Sequence, residues 1–416
     1  MLESASDSDN GGRASGAFSG PLAFLLVMAA GYAVYAADRT VLASVLVPLS
    51  SSLKLSGVQQ GLMLSAQYIG VLSVVLAAGH LSDRFGKWRI ILLGVVVFSV
   101  FTWMIALSAN FYEAFAFRLL SGVGEGVFWP VAMSAVANYF GGNRGLALGT
   151  FYVGFDVGGA GGSSIGGYTF SLTGDWRTAF YVAPLLGIAV VAGLFMAQGA
   201  FSRANTKVGM LAIGRDALAL LKRRRVLLIM LFAFAATYPV ATWQSYLAKY
   251  WNNVFGVSVP IAAYGYSAVL ISGGIGKVAL GRSSDRWARN VILLAGSAGA
   301  AVMFGLFFYV NSVVLGFLFA LAASFLASAL FPVMQALASD SCDGKTGTAL
   351  GLTTTFQSVA TVISPILTAI LFPQGVAKAI ALNVVVPMAL VAIVALFLRD
   401  PRRGPSPAGL RAGEPR

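Results

Sequence analysis

Charge is the scarcest commodity in this chain. Of its 416 residues, 28 are Lys or Arg and 15 are Asp or Glu, only 10% charged against 58% hydrophobic. A soluble domain carries roughly 25% charged residues, so a surface solvated all round is excluded. Cysteine is almost missing too. Cys342 stands alone, which excludes a disulfide framework and a cysteine-rich metal site. His80 is the only histidine, so a multi-His metal centre is excluded as well. The opening MLESASDSDNGGRASG has neither a basic n-region nor a small-residue cleavage site and reads as a polar tail, not a signal peptide. No Walker lysine follows the glycine-rich GGAGGSSIGG at 158–167, and no nucleophile is set beside a base. An ATPase or other enzyme is therefore not indicated.

What the chain has is long apolar runs. Spans of about 20 residues cross a bilayer, and twelve are read at 21–48, 58–80, 89–108, 111–139, 145–171, 177–199, 226–253, 258–281, 291–310, 312–338, 346–372 and 376–398. The fold class is an all-α membrane protein, since a transmembrane barrel would show alternation instead. The net charge of +13 is a topology signal and not a nucleic-acid footprint. Most Lys and Arg fall in the tails and the even-numbered gaps: Arg84, Lys87, Arg89, Arg144, Arg282, Arg286, Arg289, Lys345 and the stretch from Arg203 to Arg225. The odd-numbered gaps and their borders hold only Lys54, Arg177, Lys249 and Lys378. By the positive-inside rule both termini are cytoplasmic and the chain sits in the plasma (inner) membrane. The expected units are a tail 1–20, a six-helix bundle 21–199, a basic linker 200–225, a second bundle 226–398 and a tail 399–416.

One stretch is written twice. GHLSDRFGKWRIILLG (79–94) returns as GRSSDRWARNVILLAG (281–296), with Asp83 and Asp285 202 residues apart. At the same offset Pro130 meets Pro332, and GLALG (145–149) meets GTALG (347–351). This is an internal repeat of a six-helix unit. Parallel repeats of this kind build carriers whose site lies at the midplane between the halves. Ionisable groups inside spans are functional candidates by default. The first half offers Asp38, Arg39, Arg118, Glu125 and Asp156, with Tyr32 and Tyr35 on the Arg39 stripe and Tyr152 one turn from Asp156. At the Arg118 and Glu125 positions the second half carries Ala320 and Ala327. It offers Trp243, Gln244, Gln335 and Gln357 instead. Lys277 lies nearer the inner end of its span and is read as snorkelling.

The segment GHLSDRFGKWR and its degraded copy GRSSDR resemble the loop motif of the major facilitator superfamily. That resemblance implies twelve helices in two pseudo-symmetric six-helix bundles and alternating access. It also implies gating by Gly79, Asp83, Arg84, Gly86, Asp285 and Arg286, with Asp83 near Gly347 and Asp285 near Gly145. Asp38-Arg39 together with RLLSGVGEGVFWP (118–130) is similar to the anion:cation symporter branch. This implies proton carriers at Asp38 and Glu125 and anion ligands at Arg39 and Arg118. Tyr32, Tyr35, Tyr152, Asp156, Trp243, Gln244, Gln335 and Gln357 are the further substrate candidates. One departure is that Gln357-Ser358 stands where that branch has Gly-Asn before a proline. The expected partners are a small organic anion (a carboxylate or sugar acid), a proton and the lipid bilayer. No cofactor is expected beyond the proton gradient, and the chain is expected to work as a monomer. The spinster branch of lysolipid transporters shares the same span-one and span-four residues and is the alternative. A drug/proton antiporter is a third reading, and a non-transporting sensor on the same fold a fourth.

Overall fold

The computed structural model describes residues 20–140, 144–201, 220–341 and 346–398. Among them the architecture is helical throughout. The first half runs α1 (Pro21–Ser44), α2 (Leu46–Ser52), α3 (Gly57–Phe85), α4 (Lys87–Ile105), α5 (Phe111–Phe140), α6 (Arg144–Thr173), α7 (Arg177–Val182) and α8 (Leu185–Met196). The second runs α9 (Arg224–Phe255), α10 (Val259–Arg286), α11 (Arg289–Tyr309), α12 (Val313–Asp340), α13 (Thr346–Ile370) and α14 (Val376–Ala395). Most of the linker 200–225 and both tails lie outside the described residues.

The repeat sets the helix boundaries. Gly57 and Val259, Lys87 and Arg289, Phe111 and Val313, and Arg144 and Thr346 each begin a helix, and each pair is 202 residues apart. Among the described residues eleven helical stretches are long and apolar enough to cross a bilayer by length and composition, α7 and α8 counting together as one. The twelfth expected span is α6, 30 residues long but rich in glycine and serine, which add little hydropathy. Two expected spans are broken. The first stops at Ser44 because Pro48 has no N–H for the Ser44 carbonyl and its ring crowds that oxygen, so the chain restarts as α2. The sixth breaks into α7 and α8 at Pro184. The α3–α4 turn pivots on Gly86 at φ 87°, a conformation that L side chains rarely adopt.

Lipid is as apolar as leucine, so helix association in a membrane rests on close packing and polar bonds rather than on hydrophobic burial. The glycines of α6 supply the first of these. Gly154, Gly158 and Gly162 recur every four residues and lie on the backbone of Ala29, Ala33 and Ala37 of α1. Any Cβ there would overlap it.

The halves meet along two seams, α6 on α10 and α3 on α13. The 202 offset carries α3 to α10 and α6 to α13, so the seams are images of each other. Ser163 Oγ donates to Ala263 O at 2.8 Å and Ser267 Oγ to Ala160 O at 2.8 Å. Ser65 Oγ donates to Val362 O at 2.7 Å. These bonds lie toward the end of the molecule away from the Gly86 turn. Following the same helix faces toward the Gly86 end leads to Gly149 and Gly351, again 202 apart. At both, a Cβ would meet open space. Among the described residues the hydroxyl bonds across the seams thus lie toward one end, and Gly149 and Gly351 toward the other have no packed neighbour.

These contacts give a paired expectation. Gly158→Ala should destabilise the protein by about 1–3 kcal/mol through overpacking. Gly149→Ala should stay within about 0.5 kcal/mol. Thermal unfolding of the detergent-solubilised variants measures both.

Candidate functional site

Asp38 and Arg39 are neighbours on α1, and neighbours on a helix point about 100° apart. This turns them to different surroundings. Asp38 faces inward, 3% exposed. Its Oδ1 accepts from Arg118 Nη1 at 2.9 Å and Thr102 Oγ1 at 2.7 Å. Its Oδ2 accepts from Gln67 Nε2 at 3.0 Å and Ser121 Oγ at 2.8 Å. A carboxylate has about four acceptor positions, and all are used. Arg118 Nη1 also donates to the Asp38 carbonyl at 3.1 Å. Arg118 is 1% exposed although it reaches the cavity wall, and its Nε has no acceptor.

Arg39 turns toward the space between the halves. Its Nε and Nη2 lie 3.1 and 3.0 Å from Glu125 Oε2, and it also donates to the Tyr35 hydroxyl. The guanidinium lies 4.1 Å from the Tyr35 ring centroid and 4.5 Å from that of Tyr68. Such contacts favour a cation most when it is desolvated. Glu125 is fully buried, while the Arg39 side chain is 14% exposed. The Gln67 amide donates to Glu125 as well as to Asp38 and so ties the two carboxylates together. Asp38 thus pairs with Arg118 and Arg39 with Glu125, two acids and two bases in one contiguous cluster.

A partly open cavity lies beside Arg39. Its first-half wall includes Arg39, Gln67, Tyr68, Phe155 and Asp156, and its second-half wall includes Gln244, Ser245 and Tyr266. Of the sequence candidates, Arg39, Arg118, Asp156 and Gln244 line it. The others sit elsewhere. Tyr32 stacks on Phe151 with centroids 4.4 Å apart, and Tyr35 holds Arg39. The Tyr152 hydroxyl meets Met133 Sδ at 3.3 Å. Trp243, expected to contact substrate, is 2% exposed among Phe304, Phe307 and Phe308 in the second-half core. Gln335 and Gln357 are half-buried on α12 and α13 and are not part of this cavity wall, and Gln357 Nε2 is buried without a partner.

Two lysines overturn the expectation that deep charge is confined to the first half. Lys277 does not snorkel; its Nζ meets Asp156 Oδ1 at 2.6 Å across the α6–α10 seam. Lys249, expected at a span border, is 6% exposed, donates to Gln60 of α3 and lies 4.4 Å from the Phe372 ring centroid. In the repeated loop, Asp83 is half-buried in the last turn of α3 and Arg84 lies 5.2 Å from the Phe85 ring centroid. Lys87 is buried, with its Nζ 3.0 Å from Ser134 Oγ. The Asp285 side chain and the surroundings of Gly145 and Gly347 lie outside the described residues. Reading the sequence missed Gln67, Tyr68, Thr102 and Ser121. Gln67-Tyr68, a polar pair in the apolar run of α3, was the one available signal.

The fold, the doubled loop and a polar cluster beside a cavity between two bundles define a multi-pass membrane carrier. The chain matches the family model of the Major Facilitator Superfamily over residues 28–322 and again over 250–415, and it belongs to that family. It is 32% identical to protein spinster of Drosophila melanogaster over 158 residues, 37% of this chain and 26% of that protein. That match therefore spans about a quarter of the relative. It is 27% identical to the cis,cis-muconate transport protein of Acinetobacter baylyi over 328 residues, 73% of this chain and 78% of that one. Its fold is similar to a bacterial homologue of the human lysosomal transporter spinster solved in an inward-facing, occupied conformation. There the TM-score is 0.74 at 18% identity, with 90% of this chain and 94% of that chain covered. The family consists of transporters and not enzymes.

Arg118→Met would strand the Asp38 carboxylate in a dry interior. It should cost about 3–5 kcal/mol of stability. Chemical denaturation in detergent micelles, with Arg118→Lys alongside, reads the loss.

Proposed function

We propose that the chain is a secondary carrier that takes up a small organic anion, a carboxylate or sugar acid, together with protons. One observation carries this reading: Arg39 faces the cavity and its charge is neutralised by Glu125. A substrate carboxylate matches the guanidinium fork as Glu125 does. An anion that displaces Glu125 from Arg39 leaves a buried carboxylate unpaired, at a cost of several kcal/mol. A proton on Glu125 removes that cost. Anion binding and proton binding therefore favour each other, which is the coupling a symporter needs. Asp38 and Arg118, with every acceptor position of the carboxylate filled, serve better as the fixed frame than as the moving parts. The likeness to a protein named for transport of an organic acid, cis,cis-muconate, supports the substrate class.

With the Gly86 end taken as cytoplasmic by the positive-inside count, the space beside Gly149 and Gly351 supports reading this form as open on that side. Alternating access then requires the faces carrying Gly149 and Gly351 to close on their partners. The proton gradient is the energy source, the protein acts as a monomer in the plasma membrane, and Asp83, Arg84, Asp285 and Arg286 serve the gate at that end. The spinster likeness and the aromatic wall residues Tyr68, Phe155 and Tyr266 favour a second reading, a lysolipid carrier.

The test begins with thermal shifts of purified protein against carboxylates, sugar acids, phosphate esters, hydrophobic cations and lysolipids. A ligand of the folded state raises the melting temperature by mass action. The anion reading expects a shift with a small acid that is lost in Arg39→Ala. Shifts with lysolipids or hydrophobic cations alone, unchanged in Arg39→Ala, would sink it. With the best-binding acid in proteoliposomes, Glu125→Gln should abolish accumulation driven by a pH gradient and keep exchange. Full gradient-driven accumulation by that variant would remove Glu125 from the coupling.

A further inference from the structure

The Asp156–Lys277 pair beside the cavity is separate from the Arg39 cluster. Asp156 lines the cavity on α6, and Lys277 of α10 reaches it from the other half at 2.6 Å. Lys277 also lies 5.5 Å from the ring centroid of Phe155, another wall residue. On α10 the residues Tyr266, Leu270, Gly274 and Lys277 recur at helical spacing, so they share one face. The first two line the cavity, and Gly274 is the contact point for the Asp156 side chain. Lys277 therefore stands on the cavity-facing stripe, nearer the Gly86 end.

Its depth relative to Arg39 follows from the packing. Thr40, next to Arg39, donates to the Gly159 carbonyl at 2.7 Å, and a Cβ at Gly159 would touch Leu270. Arg39 thus sits level with Leu270. Lys277 lies seven residues further along α10, roughly 10 Å along the axis at 1.5 Å per residue. The two cations belong to different halves and stand at different heights, Arg39 in the cavity wall and Lys277 behind the wall residues Phe155 and Asp156.

Lys277 has capacity to spare. An ammonium has three donors, and the bond to Asp156 uses one. Its side chain is 28% exposed, twice the exposure of Arg39. A second carboxylate can join it without displacing Asp156. A buried ion pair is in itself weak evidence for stability, so packing alone does not account for a lysine here.

We infer that Lys277 is a second anion subsite, so that the cavity takes an elongated dianion with one carboxylate on Arg39 and the other on Lys277. The inference rests on the reading that Arg39 takes an organic carboxylate, and it narrows the substrate class to dicarboxylates. Substrate held this way bridges the two bundles, as a ligand must if it is to link binding to their movement.

The test compares matched acids on the full-length purified protein: terephthalate against benzoate and adipate against hexanoate, by thermal shift and calorimetry. Wild type should bind each diacid more tightly than its monoacid. Lys277→Gln should weaken the diacids about tenfold, the worth of one charged hydrogen bond, and leave the monoacids within about twofold. Lys277→Arg should restore most of the difference. Equal losses for both members of a pair would make Lys277 structural and overturn the inference. So would diacids bound no better than monoacids, while an Arg39-dependent monoacid signal left the organic-anion reading standing. Binding of none of the four acids would overturn both.

Discussion

A charge inside a bilayer must find its opposite within the protein, because no water is there to take it. That requirement organises the first half of this molecule. Four ionisable groups enter its core on two helices, α1 and α5, and they resolve into two pairs that share the Gln67 amide. Once Asp38 is committed to Arg118, the rotation of one residue on α1 commits Arg39 to Glu125 and to the cavity. Thr102 of α4, Ser121 of α5 and Gln67 of α3 all converge on Asp38. The cluster therefore fixes the angular setting of four helices against each other as well as neutralising charge.

The second half is built on the same frame with different contents. Its helices begin at the same offsets, yet alanines stand where Arg118 and Glu125 do. Its core closes instead around Trp243, Phe304 and Phe307. The first-half wall thus carries the charged residues Arg39, Arg118 and Asp156, while the second-half wall presents the neutral polar residues Gln244, Ser245 and Tyr266, with Lys277 reaching Asp156 behind it. Small residues on α6 and hydroxyls along the seams let the halves touch closely at one end. Hydroxyl-to-carbonyl bonds of this kind are weak singly in a membrane, of order 1 kcal/mol. A seam held by a few of them and by one partly exposed ion pair, Lys277–Asp156, can part and re-form more readily than a seam of fully buried ion pairs.

The legible and illegible parts of the sequence divide along the same physical line. Local and periodic features could be read. Apolar length foretold spans starting at 58, 89, 111 and 145, each within two residues of a helix start, and the 202-residue repeat foretold that the second half would follow the same frame. Even the break at Ser44 has a local cause in Pro48 that was available and went unused. The deep charges of the first half were visible because Asp, Glu and Arg stand out in apolar runs. Their polar partners were not. Thr102 and Ser121 are ordinary residues of transmembrane helices, and only the packing of α4 and α5 on α1 gives them a common target. Trp243 was misplaced for the reverse reason, since an aromatic in a span looks the same whether it faces a cavity or a core.

Lys277 shows why depth along a span is a poor guide to a charge's fate. A lysine near a helix end can extend its stem to the interface, and from sequence alone this was the natural reading. The choice is settled by whether an acid waits within reach on a neighbouring helix. Asp156 does, because α6 and α10 pack closely where Gly274 leaves room for its side chain. One charge-bearing contact thereby joins the two halves toward the Gly86 end, and neither half alone could hold it. In a carrier whose halves must move relative to each other, such a contact answers both to what occupies the cavity and to how far the halves have opened.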